Sequence, residues 1–169
     1  MAGDAVIEAF TELAPHYEET VDWEVREFCG LGYREFMSQL VERVPIEGAR
    51  DVLDIACGTA VSSIEIARKA GSDSRVVGLD VTPAMLKHGS RNLEQHGQPL
   101  RIQLVCASAM DMPLAGRSFD VLVCGLGTHH MDVDKLVSEM SRVLKKGGHL
   151  VMADMAAPAR WRTPWGRVL

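Results

Sequence analysis

Asp51-Val52-Leu53-Asp54-Ile55-Ala56-Cys57-Gly58-Thr59-Ala60 is the stretch on which the reading of this chain turns. The short apolar run 52–56 breaks on Cys57-Gly58-Thr59-Ala60, and an amphipathic segment, 61–70, follows. That order predicts a buried parallel strand, a tight turn and a helix start. Open α/β sheets bind ligands outside the carboxyl ends of their strands, so a small molecule is expected at the Gly58 turn. Gly58 has no Cβ and admits a ligand close to the backbone. Thr59 is placed to cap free amides with its hydroxyl, and those amides attract an anionic group such as a carboxylate. Asp54, at the carboxyl end of the strand, can accept from an ammonium or a bound water. A buried strand whose turn needs one glycine explains this segment alone equally well. The surrounding chain has to decide.

The 169 residues carry a net charge of −5, with 47% apolar and 24% charged residues. This is enough chain for one domain with a core and an ordinary soluble composition. Nothing in it points to nucleic acid as a general partner. No apolar run reaches membrane-span length, and the acidic N-terminus has no signal-peptide pattern. Cys29, Cys57, Cys106 and Cys124 are scattered, three of them in or beside predicted strands. Buried thiols are therefore expected in preference to disulfides or a metal site, and a reducing, cytoplasmic compartment with them.

Working outward from the turn, residues 4–47 read as an acidic helical cap. Val6, Phe10 and Leu13 recur at helical spacing, and Pro15 stops the run. A second short helix is expected over 22–29, Gly30 and Gly32 mark a turn, and a longer amphipathic helix covers 33–44 before Pro45. Beyond the cap, an α/β domain is expected over 48–169. Its strands fall at 51–56, 75–80, 101–106, 119–125 and 149–155, and its helices at 60–70, 83–95 and 132–145. A short apolar link, 110–114, stands where one helix would be. Such alternation means a doubly wound, mostly parallel sheet with helices on both faces.

Asp80 ends the second strand, about twenty residues past the glycine turn, which suits a carboxylate accepting two ribose hydroxyls. The competing reading is that Asp80 only helps the helix opened by Thr82 and Pro83. A dinucleotide dehydrogenase would want G-x-G-x-x-G after the first strand; only Gly58 is present, flanked by Ala56 and Ala60. A nucleoside without a pyrophosphate fits that turn better.

These residues resemble class I S-adenosylmethionine-dependent methyltransferases. Asp54 to Ala60 resembles their first motif and Val76 to Asp80 the second. Residues 118–123 resemble the entry to the fourth strand. Residues 142–150 are similar to the helix end and fifth strand, where Gly147-Gly148 would end the helix and let the chain reverse. The match covers about residues 50–156. Residues 10–32, with Ala14-Pro15-His16-Tyr17, and His129-His130 resemble the ubiquinone/menaquinone-biosynthesis subgroup more loosely. The resemblance implies a Rossmann-like methyltransferase fold with strand order 3-2-1-4-5, and S-adenosylmethionine as cofactor. It implies that Asp54, Ala56, Gly58 and Thr59 face the methionine end and that Asp80 takes the ribose hydroxyls. Val81 and Met85 would line the adenine, Ser108-Ala109 would approach its edge, and Leu126 would begin the substrate wall.

Two departures stand out. The family usually has glycine at 56 and 60, and alanine there costs about 1 kcal/mol wherever φ must be positive. Ala107-Ser108 replaces the frequent Gly-Asp, which leaves a neutral acceptor for the adenine amino group. Real but weakened cofactor binding is expected, and the leading reading is a methyltransferase whose turnover a truncated C-terminal end can weaken or abolish. Thr128, His129 and His130 follow the fourth strand at the ligand edge, where a neutral imidazole can act as base or orient an acceptor. The alternative is that one histidine caps the helix near Asp132. Tyr17 can close over the cofactor from the cap, or serve equally well as a packing tyrosine. Met110, Met112 and Met131 cluster around the expected pocket mouth, Met131 beside the substrate, although core filling explains most of them better. A small apolar acceptor fits these residues. A binding subunit that has lost turnover stays open as the alternative, and a nucleotide-dependent oxidoreductase as a weaker one.

The resemblance also implies seven strands, whereas only residues 156–169 follow the fifth. The last two strands are thus expected to be lacking, with Thr163-Pro164-Trp165 starting a helix that has little room to run. The fifth strand would be an open edge. Either the chain is a fragment of a longer one, or a further copy of it covers that edge.

Overall fold

The computed structural model describes residues 2–96 and 101–154. Strands β1 (Asp51–Ile55), β2 (Arg75–Asp80), β3 (Ile102–Cys106), β4 (Phe119–Gly125) and β5 (Leu144–Ala153) form one sheet in the order β3-β2-β1-β4-β5. Every neighbouring pair is parallel. The central strands are apolar on both faces because both faces are covered. Val52, Val76, Val121 and Val123 point to one side. There they meet Val21 and Val25 of α2 (Tyr17–Cys29), Met37, Leu40 and Val41 of α3 (Tyr33–Glu42), and Ile66 of α4 (Val61–Ala70). Leu53, Ile55, Val77, Leu79 and Leu122 point to the other side, onto Leu136, Met140 and Val143 of α6 (Val133–Val143) and onto Met112. Helix α1 (Ala2–Leu13) packs on α5 (Pro83–Gln95), which lies along β2 and β3. The N-terminal helices therefore share one core with the sheet.

Several expected boundaries move. Pro15 does not end the first helical run outright. It opens a 3-10 turn, Ala14–His16, and α2 then starts at Tyr17, five residues before the expected Asp22, with Glu18 and Glu19 in its first turn. Helix α3 closes at Glu42, short of Val44. Helix α6 ends at Val143, so the glycine pair does not end it. Strand β5 begins directly at Leu144, opposite Phe119, and then slips its register until His149 meets Val121. Residues 145–148 bulge out between these two pairings, and Gly147 takes φ +78° there. Lys145 turns the bulge into a clasp. Its Nζ donates to Asp120 at 2.9 Å and to Asp51 at 3.2 Å. Burial pushes the Asp120 carboxyl up, but Lys145 and the amides of Asp51 and Arg50 outweigh it and hold the group below its usual range. The clasp fastens the amino ends of β1, β4 and β5.

No helix stands between β3 and β4 among the described residues. Cys57 and Cys124 are buried thiols as expected; Cys106 is exposed, as is Cys29, and all four are free. Among the described residues no helix is long and apolar enough to cross a membrane. The tail beyond 154, with its expected helix at 163–165, lies outside the described residues.

Candidate functional site

The turn after β1 is wound through alternate left-handed residues: Ala56 at φ 57°, Gly58 at φ 53° and Ala60 at φ 62°. Two of these are alanines, so the strain foreseen for them is present. The methyl groups lie against glycines. A Cβ on Gly127 would come within 2.7 Å of the Ala56 Cβ, and one on Gly89 within 3.3 Å of the Ala60 Cβ. Gly58 has no such freedom to gain a side chain, because a Cβ there would sit 3.1 Å from the Met85 methyl and 3.8 Å from the Tyr17 ring. Thr59 does not cap α4. The capping position is Ala60, and the Thr59 hydroxyl is buried without a partner. Asn92 holds the turn from α5 by donating to the Thr59 carbonyl at 2.9 Å and to Glu18 at 2.7 Å.

Two carboxylates flank the turn. Asp54 is 1% exposed and accepts from the Ser62 and Ser63 hydroxyls at 2.7 and 2.5 Å. Burial pushes its pKa up to about 6, against the pull of those two hydroxyls. Asp80 accepts from the Gly58 amide at 3.0 Å and the Thr82 amide at 2.8 Å, so it braces both the turn and the start of α5. Burial raises its pKa, and the two amides oppose the rise. Tyr17 comes down from the cap onto Gly58, edge-on to Tyr33 at a centroid distance of 6.0 Å. Burial, then the Asp80 charge, raises the Tyr17 hydroxyl. Val81 follows Asp80 and is half-buried. The Ala107 amide donates to the Asp80 carbonyl at 3.0 Å, which brings the loop after β3 alongside. In that loop the Ser108 hydroxyl accepts from the Met110 amide at 3.1 Å, and Ala109 is buried.

The loop after β4 completes the edge. Leu126 has φ 58°, and its amide donates to the Ala153 carbonyl at 2.8 Å. Gly127 sits on Ala56, and Thr128–His130 form a 3-10 turn. The Thr128 hydroxyl donates to Asp154, and so does the His129 amide at 3.0 Å; His129 Nδ1 lies 2.7 Å from the same carboxylate. The His130 ring lies against His129 at a centroid distance of 3.9 Å, tilted by 48°, and meets Phe10 of α1 edge-on at 5.1 Å. Desolvation and the neighbouring His129 lower the His130 pKa, and Asp154 partly offsets this. Neither histidine caps α6; Asp132 does, accepting from the Lys135 amide. Met131 packs on the core and Met112 is buried in it, while the Met110 sulfur accepts from the Asp132 amide.

The structure thus gathers Tyr17, Gly58, Asp80 and Met85 at one end of the ligand edge. Ala56, Leu126, Thr128, His129 and His130 gather at the other. Asp54 and Thr59 lie beneath. Sequence reasoning missed Asp154, Asn92 and Phe10. Asp154 stands past the tip of β5 much as Asp80 ends β2, and looking for acids at strand tips would have found it.

Comparison with known proteins fits this geometry. A family profile described as a methyltransferase domain matches residues 52–148. The chain is similar to a demethylmenaquinone methyltransferase of Desulfitobacterium hafniense, 41% identical over 75% of this chain and 49% of that protein. It is also similar to a ubiquinone/menaquinone biosynthesis C-methyltransferase of a Geobacter species, 30% identical over 92% of this chain and 65% of that protein. Among solved structures, the YcgJ protein of Bacillus subtilis aligns with a TM-score of 0.65 at 26% identity, over 73% of this chain and 51% of that one. The chain spans about half to two thirds of the length of the curated relatives it matches. The cofactor of such domains is S-adenosylmethionine. The residues here fit one: a buried Thr59 hydroxyl without a partner, a glycine at 58 where any side chain would crowd Met85 and Tyr17, and a carboxylate at the tip of β2. With its sheet order, its glycine turn and its matched profile, the chain belongs to the class I S-adenosylmethionine-dependent methyltransferase family.

Proposed function

We propose that this chain methylates a small, largely apolar acceptor. Demethylmenaquinone, the molecule in the names of its curated relatives, represents the class. The observation that carries the reading is the wall beside the glycine turn, where Phe10, Leu126 and Met131 are partly exposed next to two imidazoles.

S-adenosylmethionine supplies an electrophilic sulfonium methyl when bound. The chain holds the cofactor through Asp80 at the ribose hydroxyls and through Ala56, Gly58 and Thr59 at the methionine end, with Asp54 supporting the turn from below. Val81 and Met85 line the adenine, and Ser108 and Ala109 meet its edge. Tyr17 covers the turn and excludes water. Leu126, Thr128 and Met131 orient the acceptor. His129 or His130 then takes the acceptor's proton; a lowered pKa keeps His130 neutral and able to accept.

Titration calorimetry with S-adenosylmethionine and its demethylated product, followed by transfer of labelled methyl to reduced demethylmenaquinone, tests the reading. Asp80→Ala should weaken cofactor binding tenfold or more, since hydrogen bonds to a charged group contribute about 1.5–3 kcal/mol each. An unchanged dissociation constant removes the ribose assignment.

A further inference from the structure

We infer that Asp154 is a positioning residue that fixes His129 in one tautomer, with its Nε2 lone pair turned out as the proton acceptor. The inference rests on the proposed role of the 128–130 turn in meeting the acceptor. Asp154 accepts from the Thr128 hydroxyl and from the His129 amide, which would suffice to brace the 3-10 turn. It also reaches the ring: His129 Nδ1 lies 2.7 Å from Oδ1. A carboxylate can only accept at neutral pH, so Nδ1 must carry the hydrogen. A neutral ring with Nδ1–H has its lone pair on Nε2.

The surroundings favour use of that lone pair. The Asp154 side chain is 20% exposed and the His129 side chain 46%, so the carboxylate is sheltered and the ring is reachable. The adjacent Gly127 rests on Ala56, which sets the turn against the cofactor-binding loop. When Nε2 takes a proton from the acceptor, the ring becomes an imidazolium and the Asp154 carboxylate offsets its charge. The proton leaves later to solvent, and Asp154 stays ionised throughout.

Long-range proton–nitrogen spectra of histidine-labelled protein at alkaline pH read the tautomer directly. Wild type should show His129 as Nδ1–H; an Nε2–H ring overturns the inference without any variant. In Asp154→Asn the Thr128 hydroxyl and His129 amide keep an acceptor, while the side-chain NH2 faces Nδ1 and should switch the ring to Nε2–H. Turnover should then fall on the order of a hundredfold, with cofactor affinity unchanged within twofold. If Asp154→Asn keeps the wild-type tautomer and turnover, Asp154 only braces the turn and the inference fails, while methyl transfer stands. If His129→Ala keeps full turnover, the proton-accepting role of His129 falls, and the inference with it.

Discussion

Burial lifts the Asp54 carboxyl to about 6, above its solvated value of 3.8. Between those values the folded chain holds a proton that the unfolded chain has released, so Asp54 lowers stability as the pH rises from about 4 through 6. The gap corresponds to roughly 3 kcal/mol. Asp54→Asn removes this titration and leaves that of Asp80 in place. Denaturant unfolding should find the variant close to wild type near pH 4 and clearly more stable at pH 7.5; parallel pH curves would mean that Asp54 is not the source. Ala56 and Ala60 carry a second residue-scale cost, about 1–2 kcal/mol each for a left-handed alanine. Ala60 is fully buried and Ala56 is not, so only Ala60→Gly also gives up a buried methyl, worth about 0.8 kcal/mol. Ala56→Gly should therefore melt higher than Ala60→Gly, and the reverse order would refute the buried-methyl argument. At this scale Asp54, Gly58 and Asp80 were legible because their relation is written in short spacing after two strands. Asp154 and Phe10 were not, because each meets the histidines only once the sheet has brought distant segments together.

Among the elements, the connection from β3 to β4 replaces a helix with a loop pinned from outside. Arg142 of α6 donates to the Met112 carbonyl at 2.8 Å and the Leu114 carbonyl at 2.7 Å, and Glu139 accepts from the Met112 amide at 2.6 Å. The Arg142 guanidinium also holds the Glu139 carboxyl down to about 2. Arg142→Ala frees both carbonyls and leaves Glu139 without its counter-charge. Hydrogen exchange should then speed up roughly tenfold at the Met112 and Leu114 amides, with little change in the β1 amides. Equal protection in both proteins would show that Met112, buried in the core, anchors the loop unaided. The central strands were readable as apolar runs because both faces of a parallel sheet are covered. The start of β5 was not, since Lys145-Lys146-Gly147-Gly148 has the composition of a helix end. Its place in the sheet comes from the pairing of Leu144 with Phe119 and from the Lys145 clasp, neither of which leaves a local pattern.

Taken whole, the molecule separates its two ends. The clasp of Lys145, Asp51 and Asp120 binds the amino ends of the strands, while the glycine turn, Asp80, the histidine turn and Asp154 gather where the strands finish. The fold class and sheet order follow from the alternation of strands and helices and from the family resemblance. That the N-terminal helices would share the sheet's core was harder to read, because their apolar stripes name no partner. Met37 and Leu40 of α3 lie where a side chain on Gly125, at the end of β4, would strike them. A ribosome makes α3 first and β4 some eighty residues later, about 4–16 s at ordinary rates of synthesis. During that interval the stripe of α3 can lie only on α2, α4 and the first two strands, so Met37 and Leu40 stay uncovered on the side that Gly125 closes until the fourth strand is made.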